Sequence, residues 1–159
     1  MPRPNFRASS YRSAFAFAWA ANSGGGGNRR SSTCIVSIAC PPARVYAFVR
    51  NPENLPRWAS GLGREVRKTA DGWVLETPDG PLGFKFVADN DFGVLDHVVT
   101  LAPGVDILNP MRVVANGAGS EVSFTLLELP GMTTEKFAED AGMVERDLRA
   151  LKRVLESGR

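Results

Sequence analysis

The fold of this chain is decided by residues 133–155, which read TTEKFAEDAGMVERDLRALKRVL. Thr133 is a residue type that caps helix N-termini, and Glu135 would lie near the positive end of the helix dipole. Apolar residues then recur at steps of four and three, at Phe137, Ala141, Val144, Leu148, Leu151 and Leu155. This spacing predicts a continuous helix with one apolar face over about five turns. Such a helix needs a curved sheet to pack against.

The residues ahead of this helix favour one strand followed by two short helices. Residues 34–40 are apolar and β-branched, as in a first strand, and Pro41-Pro42 ends that strand. Proline is tolerated at a helix start, so a short helix can follow at once. Pro52 begins a second short helix that contains Trp58.

Alternating apolar residues between turn signals predict an antiparallel meander over residues 65–129. The turn signals are Asp71-Gly72, Pro78-Asp79-Gly80, Pro103-Gly104 and Asn116-Gly117. Asn109-Pro110 interrupts the strand expected over residues 105–115, which suits a bulge or an edge position better than a central ladder. The predicted fold class is therefore α+β: a curved antiparallel sheet of about six or seven strands wrapped around a long C-terminal helix, with two short helices after strand 1.

The charge distribution separates an N-terminal extension from the rest of the chain. Residues 1–32 contain five arginines and no acidic residue, and they end near four consecutive glycines. We expect residues 1–32 to be a disordered or targeting-like extension and residues 33–159 to be the folded domain. The rest of the chain has 14 basic and 17 acidic residues, a net charge of −3, which argues against a nucleic-acid partner. No apolar stretch is long enough to span a membrane.

The two cysteines indicate the compartment and exclude some cofactors. Cys34 and Cys40 are six positions apart in one predicted strand, about 20 Å, which is beyond the reach of a disulfide. No histidine or third cysteine lies near them in the sequence, so a zinc site is not expected. Reduced thiols used as small apolar residues suit a cytoplasmic protein. We expect no metal and no cofactor.

Residues 36–49 (VSIACPPARVYAFV) and 51–58 (NPENLPRW), together with the closing helix, resemble the SRPBCC superfamily, which includes START domains and polyketide cyclases. The resemblance covers roughly residues 33–157 and implies the helix-grip fold. Members of this superfamily bind apolar or aromatic ligands between the helix and the sheet, and some are cyclases or dehydratases. No shared catalytic motif defines the superfamily, so the resemblance alone does not imply an enzyme.

His97 is the single histidine of the chain and a candidate for chemistry. It shares a strand face with Leu95, Val99 and Leu101, and on the concave side of the sheet it would face a ligand cavity. There an ordinary histidine pKa would suit proton transfer. The alternative is a core or rim histidine that is bonded to the backbone. Asp96 would point to the opposite face.

Arg112 is the second candidate for a catalytic role. It could bind a carboxylate or stabilise an enolate oxygen, or it could form a structural ion pair with Asp96. The other predicted ligand-binding residues are mostly aromatic or apolar and could equally be plain core. They are Trp58, Trp73, Phe84, Phe86, Asn109, Phe124, Val144 and Leu148, in addition to His97 and Arg112.

Three functions follow as hypotheses from these observations. The first is binding of a small hydrophobic or aromatic ligand, polyketide-like or lipid-like, in a cavity between the sheet and the C-terminal helix. The second is a cyclase or dehydratase in which His97 moves a proton and Arg112 holds an oxyanion. The third is a protein-interaction or stress-regulatory module. Either a monomer or a homodimer is compatible with the sequence.

Overall fold

A computed structural model describes residues 27–59, 62, 65–77 and 79–158 of the chain. It contains three α-helices, one short 3₁₀ helix (Pro52–Asn54) and eight strands within those ranges. The α-helices are α1 (Pro42–Arg50), α2 (Leu55–Trp58) and α3 (Thr134–Ser157). The strands are β1 (Ser31–Ile38), β2 (Glu65–Thr69), β3 (Gly72–Thr77), β4 (Gly80–Phe86), β5 (His97–Ala102), β6 (Val105–Asn109), β7 (Met111–Asn116) and β8 (Gly119–Leu127).

The strands form two antiparallel sheets with the orders β1-β8-β7 and β2-β3-β4-β5-β6. Pro110 separates the sheets, because β6 pairs with β5 whereas β7 pairs with β8. An isolated bridge between Val94 and Arg112 and a hydrogen bond from Leu95 N to Met111 O (2.9 Å) connect the two sheets. The strand expected over residues 105–115 is thus two strands, β6 and β7. This division explains why the described ranges contain eight strands where about six or seven were predicted. The predicted α+β helix-grip class is confirmed.

The short helices begin and end where proline and asparagine dictate. Pro42 occupies the first turn of α1, where its missing N–H is not needed. Asn51 accepts a hydrogen bond from Glu53 N (3.1 Å) and so caps the 3₁₀ helix that leads into α2. α2 is a single turn that buries Leu55 and Trp58. The two helices close one side of the core and bring Trp58 toward α3.

The C-terminal helix α3 is capped as its sequence predicts, and its buried face includes every predicted apolar residue except Ala141, which is half-buried. The Thr133 hydroxyl accepts a hydrogen bond from Lys136 N (3.1 Å). Its buried face consists of Phe137, Asp140, Met143, Val144, Leu148, Leu151 and Leu155. The thiol of Cys40 in the loop after β1 donates to Leu155 O (3.4 Å), and both cysteines are free and buried. In the described ranges no helix combines the length and the apolarity that crossing a bilayer requires.

The N-terminal end of β1 lies three residues earlier than the predicted first strand. Ser31 and Ser32 pair with Leu127 and Leu126 of β8. Just before the strand, the Arg30 guanidinium pairs with Glu128 (3.2 Å) and lies over the Phe137 ring (5.4 Å). Ser31 and Ser32 therefore belong to β1, and Arg30 contacts the folded domain. The predicted character of the remaining extension, residues 1–26, concerns residues outside the described ranges.

A comparison of two deletions tests how much the start of β1 contributes. Removing residues 1–32 should lower the free energy of unfolding by about 1–2 kcal/mol relative to removing residues 1–26. The longer deletion also removes the Arg30 contacts and the first pairs of β1. In thermal unfolding this corresponds to a difference of about 2–6 °C. Equal melting temperatures for the two variants would contradict it.

Gly93 allows the loop before β5 to approach β7, and its replacement tests this contact. Its φ is +71°, and a Cβ atom there would lie 2.0 Å from Val113 O. Gly93→Ala should therefore destabilise the fold by more than ~3 kcal/mol in urea unfolding. Gly104→Ala is the matched control, because Gly104 has φ +77° but no atom within 4 Å of that position. We expect the control to lose only about 1–2 kcal/mol, and similar losses in both variants would refute the contact.

Candidate functional site

A cavity of about 40 Å³ lies between α3, α2 and the strands β4, β5 and β8, which belong to the two sheets. We call it the central cavity. Seven residues predicted from the sequence as ligand contacts line it: Trp58, Phe84, Phe86, His97, Phe124, Val144 and Leu148. They come from α2, β4, β5, β8 and α3, so five separate elements contribute to one site.

Three of the predicted ligand-binding residues lie outside the lining of the central cavity. Trp73 is half-buried in β3, with Lys68 Nζ 5.9 Å from its ring. Asn109 is buried in β6 opposite His97. Arg112 forms the ion pair with Asp96 that the sequence suggested as its structural alternative, and it also donates to Met111 O (2.9 Å). The Arg112 guanidinium is thus engaged away from the central cavity.

The central cavity also has lining residues that the sequence analysis did not select. These are Leu55, Ala59, Leu62, Met143 and Asp147. Met143 and Asp147 lie within one turn of Val144 on α3, and this helical neighbourhood is a signal that could have found them. Leu62 follows α2 in a segment without strand or helix periodicity, so no pattern marked it.

His97 lies within a group of aromatic rings that we call the aromatic cluster: Phe84, Phe86, His97 and Phe124. Its imidazole stacks on Phe84 with ring centres 4.9 Å apart and an angle of 26° between the planes. Phe86 and Phe124 approach at 5.5 Å and 5.8 Å. The face shared with Leu95, Val99 and Leu101 is buried, as alternation along the strand predicts.

Burial sets the protonation state of His97. The imidazole is only 3% exposed, and desolvation lowers its pKa from 6.5 to about 4, although a hydrogen bond to Leu95 O (3.1 Å) partly opposes the shift. A carbonyl oxygen can only accept, so Nδ1 carries the proton and Nε2 carries the lone pair. His97 is therefore neutral at pH 7, whereas the sequence alone suggested a pKa near its ordinary value.

Trp58 adds a second uncharged polar group. Its side chain is buried and lines the central cavity, and within the described residues Nε1–H has no hydrogen-bond partner. An indole N–H normally finds a partner when it is buried. Asp147 on α3 is half-buried and supplies the carboxylate of the lining. Among the described residues, no cluster of three histidine, cysteine, aspartate or glutamate side chains could hold a metal ion.

The arrangement is suited to holding a small ring-shaped or branched apolar molecule. Five of the twelve described lining residues carry aromatic rings, and two neutral polar groups can orient a ligand. Proton donation by His97 is disfavoured at pH 7, because a pKa of about 4 leaves the imidazole almost entirely neutral.

Comparison with known proteins gives one family match. The model of the family described as polyketide cyclase / dehydrase and lipid transport matches residues 29–156. These residues include every lining residue of the central cavity. Comparison with curated proteins gives no sequence match.

Several solved structures share the fold at low sequence identity. The protein XoxI from Bacillus cereus is 17% identical with a TM-score of 0.63, covering 79% of this chain and 94% of that protein. The Aha1 dimer from Colwellia psychrerythraea gives 16% identity and a TM-score of 0.63 over 82% of this chain and 98% of that one. DynU16, from the dynemicin biosynthetic locus, is 16% identical with a TM-score of 0.62. The match covers 81% of this chain and 48% of DynU16. At these identities the likeness concerns the fold alone.

The neutral state of His97 predicts a pH dependence of stability. The unfolded chain takes up this proton near pH 6.5 and the folded chain only near pH 4, so the unfolded state binds more protons between these values. Stability should therefore be fully present above pH 6.5 and fall by up to about 3 kcal/mol as the pH drops to 4. Urea unfolding at several pH values measures this loss.

His97→Phe is the control for this titration, because it removes the ionisable group and keeps a ring in the aromatic cluster. The difference in unfolding free energy between wild type and variant should change with pH only between pH 4 and 6.5. An NMR titration that gives the folded histidine a pKa near 6.5 would contradict the assignment.

Proposed function

The chain belongs to the polyketide cyclase / dehydrase and lipid transport family, and on this premise we propose that it binds a small aromatic or otherwise apolar ligand in the central cavity. The observation that carries the proposal is the aromatic cluster facing α3 across an unfilled space. A cavity with apolar walls and few polar groups is the usual form of a small-molecule site. Polyketide-like and lipid-like ligands both fit this description.

The size of the central cavity limits what it holds without movement of its walls. At about 40 Å³, it has room for one or a few water molecules. A ligand of one ring or more must therefore displace part of the wall. β4, β5 and β8 are held in ladders, but α2 is a single helical turn and Met143 is an adaptable side chain. The wall formed by α2 and Met143 is the part most easily displaced.

The protonation state of His97 favours binding over acid catalysis. A cyclase or dehydratase that uses His97 as a proton donor needs the imidazolium form, which burial disfavours. Arg112, the expected oxyanion partner, is occupied by Asp96. The family description includes both enzymes and transport proteins. The neutral state of His97 and the Arg112–Asp96 ion pair support a ligand carrier.

Filling the central cavity from α3 should weaken binding strongly. Val144 is 9% exposed and lines the cavity, so Val144→Phe puts a ring into the space that a ligand would use. With toluene as the probe, we expect saturable 1:1 binding to the wild type and at least ~10-fold weaker binding to the variant, by calorimetry. Val114→Phe is the control, because Val114 is 52% exposed on β7.

The natural ligand can be sought in the same protein. Native mass spectrometry of protein purified from its own host should show an added mass that Val144→Phe loses and Val114→Phe retains. Circular dichroism establishes that both variants are folded. If toluene binds the wild type and Val144→Phe equally well, the central cavity is not the binding site.

A further inference from the structure

Two uncharged polar groups with opposite hydrogen-bonding roles belong to the lining of the central cavity. The indole N–H of Trp58 is a donor, buried and without a partner in the described residues. Nε2 of His97 is an acceptor, because Nδ1 carries the proton that is donated to Leu95 O. In the described part of the chain, that bond is the only one that the His97 imidazole forms. A ligand can therefore find one neutral donor and one neutral acceptor here.

These two groups make the binding of an apolar ligand weaker than its shape alone would predict. A purely apolar molecule would leave the Trp58 N–H unpaired and would exclude water from Nε2 of His97. A buried polar group without a partner opposes binding, and a ligand atom that pairs with it removes this cost. Between ligands of equal size, the one that can both donate and accept is favoured.

The charges around the central cavity discriminate against anions. Its lining in the described ranges includes no lysine or arginine, and its one carboxylate is Asp147. A carboxylate ligand would lose its hydration without gaining a counter-charge from these described residues. It would also present acceptor oxygens to the lone pair of His97.

On the basis of the binding function above, we propose that the central cavity selects a neutral hydroxylated ring compound over both an apolar ring of the same size and the corresponding carboxylate. A hydroxyl group donates and accepts at once. It can donate to Nε2 of His97 and accept from Nε1 of Trp58, while the ring packs against Phe84 and Phe124. The ligand class is that of phenols.

Toluene, phenol and benzoate are matched probes for this selection, because each has one ring and one substituent. Water solvates phenol better than toluene, so a cavity without polar partners binds toluene more tightly. We expect calorimetry at pH 7 to show phenol binding at least as tightly as toluene, and benzoate binding at least ~10-fold more weakly than phenol.

Trp58→Phe removes the N–H and keeps an aromatic ring. The ratio of the Kd for phenol to the Kd for toluene should rise about five- to tenfold in this variant. Trp73→Phe is the matched control, because Trp73 is a half-buried tryptophan outside the lining, and its ratio should stay unchanged. In ¹⁵N spectra of the wild type, the Trp58 indole proton should shift downfield with phenol and not with toluene. This second measurement does not depend on how the variant folds.

The outcomes separate the selection from the binding function. If toluene binds but the ratio is unchanged in Trp58→Phe and the indole resonance ignores phenol, the selection is wrong and the binding function stands. Benzoate binding as tightly as phenol overturns the selection in the same way. If neither phenol nor toluene binds the wild type, both the binding function and the selection are overturned.

Discussion

The packing of α3 against β1 and β8 is the contact on which the rest of the structure depends. Toward its C-terminal end, Leu151 and Leu155 are almost fully buried, and each buried leucine stabilises the fold by about 1.5–3 kcal/mol. Nearer the middle of the helix, Met143 and Val144 contact the central cavity instead of closing it. One helix therefore seals one end of the core and forms a wall of the cavity at the other.

Two small residues fix this helix to the first strand and the loop after it. Cys34 and Cys40 are both buried, and their thiols contact Ala141 O (3.7 Å) and Leu155 O (3.4 Å). Larger side chains at these positions would move α3 away from β1, because protein cores are close-packed. The small size of the cysteines thus sets the distance between helix and sheet at two points about four turns apart along α3.

The sequence predicts the scaffold well because periodicity and turn chemistry are local. The 4-3-4 spacing of α3, the Thr133 cap and the Asn116-Gly117 turn all act within a few residues, and the structure has each of them. Pairing between distant strands is not local. Whether Asn109-Pro110 bends one strand or divides it into two depends on which strands lie on either side of it.

The site is predicted less completely for the same physical reason. Alternation places His97 on the buried face, but the size of its pKa shift comes from rings on β4 and β8 that close around it. Trp73 and Trp58 are equivalent by residue type, and only their places in β3 and α2 decide which one lines the central cavity. Arg112 forms an ion pair with Asp96, which is the structural alternative that the sequence suggested for it.

The polar groups of the central cavity conflict locally with an otherwise apolar core. Among the described residues, the neutral His97 imidazole has one hydrogen bond and the Trp58 N–H has none. Each missing partner makes these side chains less favourable there than phenylalanine would be, by about 1–3 kcal/mol. The burial along α3 can offset such a loss, so the fold tolerates it. Local rules are broken at functional sites more than elsewhere in natural sequences. Both conflicts belong to residues that line one cavity, which is the pattern expected when a ligand supplies the missing partners.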